Sequence, residues 1–435
     1  MAIFQSITFK VLGIGFLALL MLIPLAQVQG LIGERNALRD SAVAAIASSW
    51  GGRQQFGGPV LAIPKRVRVQ TSTGWITQES TEILLPDTLE IRGTLAPDMR
   101  RYGIYDTPVY TAELKLGGSF AAADFKALAG PETTYLWERA ELRLPVSDVR
   151  GIRRVSALSF ADAKYNFGPG VADVGGIGTI AVPLDLADLK DKVPFELEIT
   201  LAGTQSLQLL PLARRTEVAL SAPWPDPSFD GAFLPAERHV DAKGFEAHWQ
   251  VLDLNRNFGQ HWQQDVQHGQ DLRSAAFGVA LYQPASVYQQ NERAGKYGVL
   301  FIALTFVAFF LFEVLKKLRV HPVQYLLIGV ALTAFYVVLL ALSEQIGFGF
   351  AYLAAAIAVV TIVTGYAGAV LHARRAGLSL GALLALVYAL LYGLIVSEQY
   401  SLLMGALALL AIVAALMYLT RKVDWYTAVP AAALR

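Results

Sequence analysis

Apolar residues gather at the two ends of this 435-residue chain. One long apolar stretch, Val11–Val28, stands near the start, and five more follow between Gly295 and Leu419. The segment between them has ordinary globular composition. A helix needs about 20 apolar residues to cross a hydrocarbon layer roughly 30 Å thick. All six stretches approach that length. The pattern predicts a multi-pass α-helical membrane protein of six spans, with a large β-rich domain inserted between span one and span two. Any function must suit a water-facing domain tied down at both ends.

Charge divides along the same line. From Gly30 to Lys296 there are 27 Lys+Arg and 31 Asp+Glu, a net of −4. Subtracting these from the chain's 36 basic and 35 acidic residues leaves 9 and 4, a net of +5. Neither part carries the strong basic excess of a nucleic-acid binder, so no nucleic-acid partner is expected. Lipid is the expected environment.

The positive charges of the apolar ends predict orientation. Lys10 precedes the first span, and Lys316, Lys317 and Arg319 follow the second. Arg374 and Arg375 separate the fourth and fifth, and Arg421 and Lys422 follow the sixth. The short loops around Ser343–Gly349 and Ser397–Gln399 hold no Lys or Arg. Basic loops stay in the cytoplasm. Both termini are therefore expected there, with Gly30–Gly295 outside, which in a Gram-negative cell is the periplasm.

The first stretch could be a cleaved signal peptide. It is longer than the usual apolar region of one, carries Pro24 late, and offers only Ala26-Gln27-Val28 as a poor cleavage site, so an uncleaved anchor is expected. Leu31, Ile32, Leu38, Ala42, Ala45 and Ile46 then recur at helical spacing until Gly51-Gly52. This predicts a stalk helix continuing the first span. A helix lying on the membrane surface is the alternative. The chain has no cysteine, so an exported domain must rely on core burial.

From Pro59 the period changes to two. Val67-Arg68-Val69, Thr111–Leu116, Glu141–Leu144, Phe195–Leu201, Glu217–Leu220 and Phe245–Val251 alternate apolar and polar residues, the mark of half-buried strands. Gly and Pro interrupt them often, which suggests sandwich-like sheets. A short helix is expected near Ala122–Leu128, and a subdomain boundary near Leu186–Val193. The expected division is an N-terminal anchor at 1–30, a stalk at 31–52, and the β-rich domain at 53–294, split near 190. A five-helix bundle follows at 295–420 (about 295–315, 323–342, 346–371, 377–396 and 400–419), then a cytoplasmic tail at 421–435.

No catalytic signature survives its context. Walker A, HExxH, G-x-S-x-G and paired CxxC patterns are missing, so no catalytic residue, cofactor or metal is assigned. Gly176-Ile177-Gly178 reads as a β-turn. His239, His248, His261 and His268 lie close together, but their spacing is loose for zinc, and surface or hydrogen-bonded histidines are expected.

Two groups are candidate sites. The first is the proline-rich loop from Pro223 to Pro235 with Trp224, Asp226, Phe229 and Phe233. Proline stiffens it, so its rings could meet a ligand or a membrane, or plug the end of a sandwich. The second is a polar membrane cluster of Glu313, His321, Gln324 and Glu344. Ionisable groups in spans are functional candidates, although Lys316 and Lys317 lie about one turn from Glu313 and an interfacial ion pair is simpler. Ser343-Glu344-Gln345 and Ser397-Glu398-Gln399 occupy matching turns and hint at a hairpin repeat.

Several runs together resemble one family. They include Gly58–Pro64, Tyr102-Gly103-Ile104-Tyr105, Asp148–Ile152 and Trp224 to Pro235. Arg293–Tyr297, Leu300–Thr305, Phe309–Glu313, Leu318–Leu327, Phe335-Tyr336 and Leu339–Glu344 continue the pattern, and Leu419–Tyr426 ends it. The chain is similar over essentially its whole length to the CreD family of bacterial inner-membrane proteins. The resemblance implies a role in cell-envelope integrity, linked to a two-component system, envelope stress and altered β-lactam or colicin tolerance. It implies no catalytic residues. Gln345 and Asp226 stand where histidine is common in the family, which weakens metal or proton chemistry at both places.

The expectation is a non-enzymatic membrane protein whose periplasmic domain touches an unknown envelope component or membrane protein. A transporter using Glu313, His321 and Gln324 is the first alternative. A membrane-anchored enzyme modifying glycan or lipid through paired carboxylates is the second.

Overall fold

The structure is a computed structural model that describes residues 7–71, 74–128, 133–187, 192–264, 268–282, 287–315, 320–370, 374–397 and 401–421. Its helices are α1 (Ile7–Leu20), α2 (Leu22–Trp50), α3 (Ala122–Ala127), α4 (His268–Ser274), α5 (Val287–Leu315), α6 (Pro322–Ile346), α7 (Phe348–Val370), α8 (Arg374–Val396) and α9 (Ser401–Thr420). The chain forms two compact units. One joins Met1–Leu38 to Ala285–Arg435, and the other is Arg39–Pro284.

In the helical unit, α1 and α2 are separated only at Met21. Pro24 has no N–H to give the carbonyl four residues earlier, so the helical ladder breaks there. Met21, Leu25, Val28 and Ile32 are buried. Glycines of α5 and α6 receive this stripe. A Cβ on Gly298 would meet Leu25 Cδ1 at 2.9 Å, and one on Gly329 would meet Met21 Sδ at 2.7 Å. Small residues are what allow membrane helices to approach this closely. His321 caps α6, Pro322 opens it, and Gly347 at φ 77° ends it, a conformation glycine adopts without strain.

Among the described residues, five helical stretches are long and apolar enough to cross a membrane. They are Lys10–Trp50, Val287–Val314, Pro322–Ile346, Phe348–Val370 and Arg374–Val396. The sixth expected crossing falls on α9, whose shorter apolar run is Leu403–Ala415. Phe350, Leu353, Leu378 and Leu386 point outward and stay exposed, as side chains solvated by hydrocarbon do. The expected tail beyond Arg421 lies outside the described residues.

The other unit is built of sheets. The alternating segments read from the sequence all lie in strands, and α3 occupies the expected short helix. A nine-stranded sheet runs, edge to edge, Ala163–Tyr165, Leu158–Phe160, Val193–Thr204, Tyr105–Phe120, Thr88–Tyr102, Arg215–Ala222, Gly244–Leu252 and Glu237–Asp241, with Ile152–Val155 beside Val193–Thr204. A seven-stranded sheet is centred on Val60–Thr71 and Gly74–Leu84, and a four-stranded sheet carries Ser206–Leu210 and Phe277–Leu281.

All three sheets feed one core. Ile91 and Leu114 come from the first, Ile63 and Leu142 from the second, Leu207 and Phe277 from the third. Each such side chain contributes about 1.5–3 kcal/mol on full burial, which replaces the disulfides the chain lacks. The core draws on residues from both sides of position 190. Val174 and Ile177 bond each other's backbones across Gly175 (φ 60°) and Gly176 (φ 76°), so the glycine pair forms a tight turn that needs two positive φ angles.

Candidate functional site

The outward face of the nine-stranded sheet carries an open trough of about 650 Å³. It forms because the strand Arg215–Ala222 turns Val218, Leu220 and Ala222 into the core and leaves Ala219 and Ser221 pointing out. On one side, Thr88–Tyr102 presents Arg92 and Thr94, and Tyr105–Phe120 presents Glu113 and Lys115. On the other, Gly244–Leu252 presents Glu246 and His248, and the edge strand presents Glu237 and His239. Short side chains in the middle and long ones beside them make the trough. The strands flanking its floor are two strand spacings apart, about 10 Å.

Register fixes which groups face each other. Ala219 stands level with Arg92 and His248, and Ser221 with Thr94 and Glu246. Glu237 lies opposite His248, and His239 opposite Glu246. Arg92 is bonded to Glu90 at 2.6 Å, and Lys115 pairs with Glu198 at 3.0 Å. Among the described residues Glu113, Glu237 and Glu246 carry no ion pair. The uncommitted charge of the trough is mainly negative.

The proline-rich loop is placed differently. Phe229 and Phe233 pack against the core, Phe229 edge-on to Phe245 and Trp249 at 5.6 and 5.7 Å, and Phe233 edge-on to Phe277 at 5.8 Å. Trp224 also rests on the core, and its Nε1 donates to the carbonyls of Asp226 and Tyr282, each at 3.1 Å. Asp226 and Leu234 are exposed, as are Pro223, Pro225, Gly231 and Ala232. The three aromatic rings are spent on packing.

The four polar membrane candidates separate into two groups. Glu313 is buried, pairs with Lys10 of α1, and accepts from Val320 N at 2.8 Å and Tyr325 Oη at 2.9 Å. His321 and Gln324 stand at the same end. The His321 side chain accepts from Val323 N at 3.3 Å, and Gln324 accepts from His321 N at 3.0 Å, a reciprocal cap that satisfies the start of α6. Glu344 lies 19 residues along α6 from Tyr325, about 28 Å at the helical rise. It accepts from Tyr288 Oη at 3.0 Å and faces Arg35 at 3.7 Å. Nearby, Asn291 Nδ2 donates to Ser343 Oγ at 2.9 Å. Lys316, Lys317, Glu398 and Gln399 lie outside the described residues.

The histidines also divide. His239 and His248 line the trough. His261 shares Glu82 with Lys65, at 2.7 and 2.6 Å, and His268 stacks on Trp262 with centroids 5.5 Å apart. No group of three or more metal-ligating side chains occurs among the described residues. The sequence reading did not find the trough, because its members come from five strands whose pairing the sequence does not display. The one local signal was Ala219 and Ser221 at successive outward positions. Lys10 as the partner of Glu313 was missed for the same reason.

Apolar helices at both ends and a sheet-built unit between them define a multi-pass integral membrane protein, in contact with a lipid bilayer. The chain belongs to the family described as "Inner membrane protein CreD", which matches residues 6–426. It is 36% identical over 415 residues, 94% of this chain and 91% of the relative, to "Inner membrane protein CreD" of Escherichia coli (strain K12). The membrane is accordingly the inner membrane. Among solved structures it is similar to an M1 zinc metallopeptidase from Deinococcus radiodurans, at 10% identity and TM-score 0.20 over 38% of each chain. A putative protease from Parabacteroides distasonis ATCC 8503 gives 9% identity and TM-score 0.26, over 58% of this chain and 50% of that one. Likeness this low carries no argument about fold or activity.

Proposed function

We propose that this protein supports the cell envelope without catalysing a reaction. In this reading six helices cross the inner membrane and both termini are cytoplasmic. The β-rich unit stands in the periplasm, where its trough contacts an envelope component. The trough is the observation that carries the reading. It is open and outward-facing, and its Glu113, Glu237 and Glu246 carry no ion pair among the described residues, whereas the aromatic loop is consumed by the core.

Sidedness is supported by the basic residues. Lys10 precedes the first apolar run, Arg374 and Arg375 begin α8, and Arg421 follows α9, while the turn Ser343–Gly349 has none. The non-catalytic reading is supported by the sequence, in which no catalytic signature survives its context. Glu313 is engaged by Lys10, Tyr325 and a backbone N–H, which favours a structural over a transport role for it.

The test fills the trough. Ala219→Phe with Ser221→Phe should abolish complementation of an envelope-stress defect while the protein reaches the membrane at its usual level. Full complementation by that variant would end this reading.

A further inference from the structure

We infer that the trough holds an extended peptide segment bearing lysine or arginine side chains. This rests on reading the trough as the contact surface, and it adds the chemistry of the occupant. A channel floored by Thr94, Ala219 and Ser221, between the strands of Glu113 and Glu246 three spacings or about 14 Å apart, accommodates one extended chain. Two of its three cations are already occupied, since Arg92 is held by Glu90 and Lys115 by Glu198. Its carboxylates are not. Glu113 on one wall and Glu237 and Glu246 on the other lack ion pairs among the described residues, against one unpaired cation, Arg238.

Carboxylates on both walls of a one-chain channel suit a ligand that places positive groups on alternate sides of an extended backbone, as a β-strand does with successive residues. The imidazoles of His239 and His248 add acceptors between the carboxylates when neutral. Among the described residues no Phe, Tyr or Trp lines the trough, so they offer no flat apolar platform for a sugar ring, and a peptide fits better than a glycan. Charge complementarity of this kind weakens with salt.

The experiment uses the full chain in detergent micelles. The probe is a fluorescent oligolysine peptide, whose successive side chains carry ammonium groups to both sides of the extended backbone. Its lysine-acetylated form, an alanine–glutamate peptide and a chitin oligosaccharide serve as competitors. The lysine peptide should bind and be displaced by none of the three. Glu237→Gln with Glu246→Gln should raise its Kd about tenfold, roughly the loss of one good charged contact. Neutralising the exposed acids Glu138 and Asp162 elsewhere should leave Kd unchanged. Equal binding of the acetylated peptide, displacement by the oligosaccharide, or indifference to the Glu237/Glu246 change would each overturn the assignment. Exposed outward positions tolerate these changes without unfolding.

The trough-filling variant separates the two readings. If it loses complementation in cells while the lysine peptide never binds the parent protein, the contact surface stands and the peptide assignment falls. If the peptide binds the parent and not the filled variant, yet the variant complements fully, the ligand class stands and the envelope role falls.

Discussion

Lys10, in α1, forms an ion pair with Glu313, 303 residues later and near the end of α5. Glu313 also receives Tyr325 from α6, so one carboxylate gathers three helices. Farther along the same helices, Met21 and Leu25 seat against Gly329 and Gly298. At the opposite end Arg35 and Tyr288 converge on Glu344. The first helix is thus an integral part of the bundle.

Breaking the pair at Lys10 should therefore be felt by the whole bundle. Glu313→Gln leaves a partly buried ammonium with a weaker partner and should cost about 1.5–3 kcal/mol, the usual worth of a charged hydrogen bond. Lys10→Met combined with Glu313→Met should recover part of that loss, since an apolar pair incurs no desolvation cost. Thermal unfolding of the detergent-solubilised protein, arranged as a double-mutant cycle, measures both.

The contact between α7 and α8 is equally specific. A Cβ on Gly377 would meet the backbone of Gly368 at 2.6 Å, and backbone cannot swing aside, whereas Gly365 has nothing within 4 Å. Gly377→Ala should destabilise by about 1–3 kcal/mol, as overpacking does. Gly365→Ala should be neutral or mildly stabilising, because alanine is the better helix former. The same unfolding assay compares them.

The aromatic loop should behave as core. Phe229→Ala removes a half-buried ring that touches Phe245 and Trp249 and should cost about 2 kcal/mol, less than the ~3–5 of a fully buried one. Leu234→Ser, at an exposed position, should change stability by no more than about 0.5 kcal/mol. Proteolytic resistance of the β-rich unit reports the difference.

Acid should weaken the same unit through Asp148. Its side chain accepts from Arg150 Nε at 2.8 Å and from Gly52 N at 2.9 Å. The Arg150 hydrogen bonds, and then those of the backbone, hold its carboxyl below the usual range. A depressed carboxylate stabilises the fold above its unfolded pKa, about 3.9, and that contribution fades as pH falls through the lower folded value. Asp148→Asn should lower stability at neutral pH and flatten the decline below about pH 4. Unfolding midpoints measured from pH 7 downward would show it.

Local signals in the sequence were reliable and non-local ones were silent. Period-two alternation placed Phe195–Leu201 and Phe245–Val251 in strands because each has one face in the core. The length of the apolar runs located the long helices, whereas the break at Met21 in the first was not foreseen. Helical spacing up to Gly51-Gly52 led to the expectation of a stalk continuing the first span, and α2 runs unbroken from Leu22 to Trp50. The stiff aromatic loop drew notice because proline and tryptophan are conspicuous. Its rings turn inward because Trp249 and Phe277, distant in sequence, offer them a surface. The trough escaped notice because small outward residues such as Ala219 mean nothing until their neighbours across the sheet are known.

The arrangement across the membrane is the claim on which the rest depends, and a chain without cysteine allows it to be measured directly. Single cysteines at Val171 and Gln345, both exposed, and at Arg421, after α9, can be treated in intact cells with a thiol reagent that does not cross the inner membrane. Val171→Cys and Gln345→Cys should label fully, and Arg421→Cys only after the membrane is permeabilised. Labelling of Arg421→Cys in intact cells with protection of Val171→Cys would contradict the account.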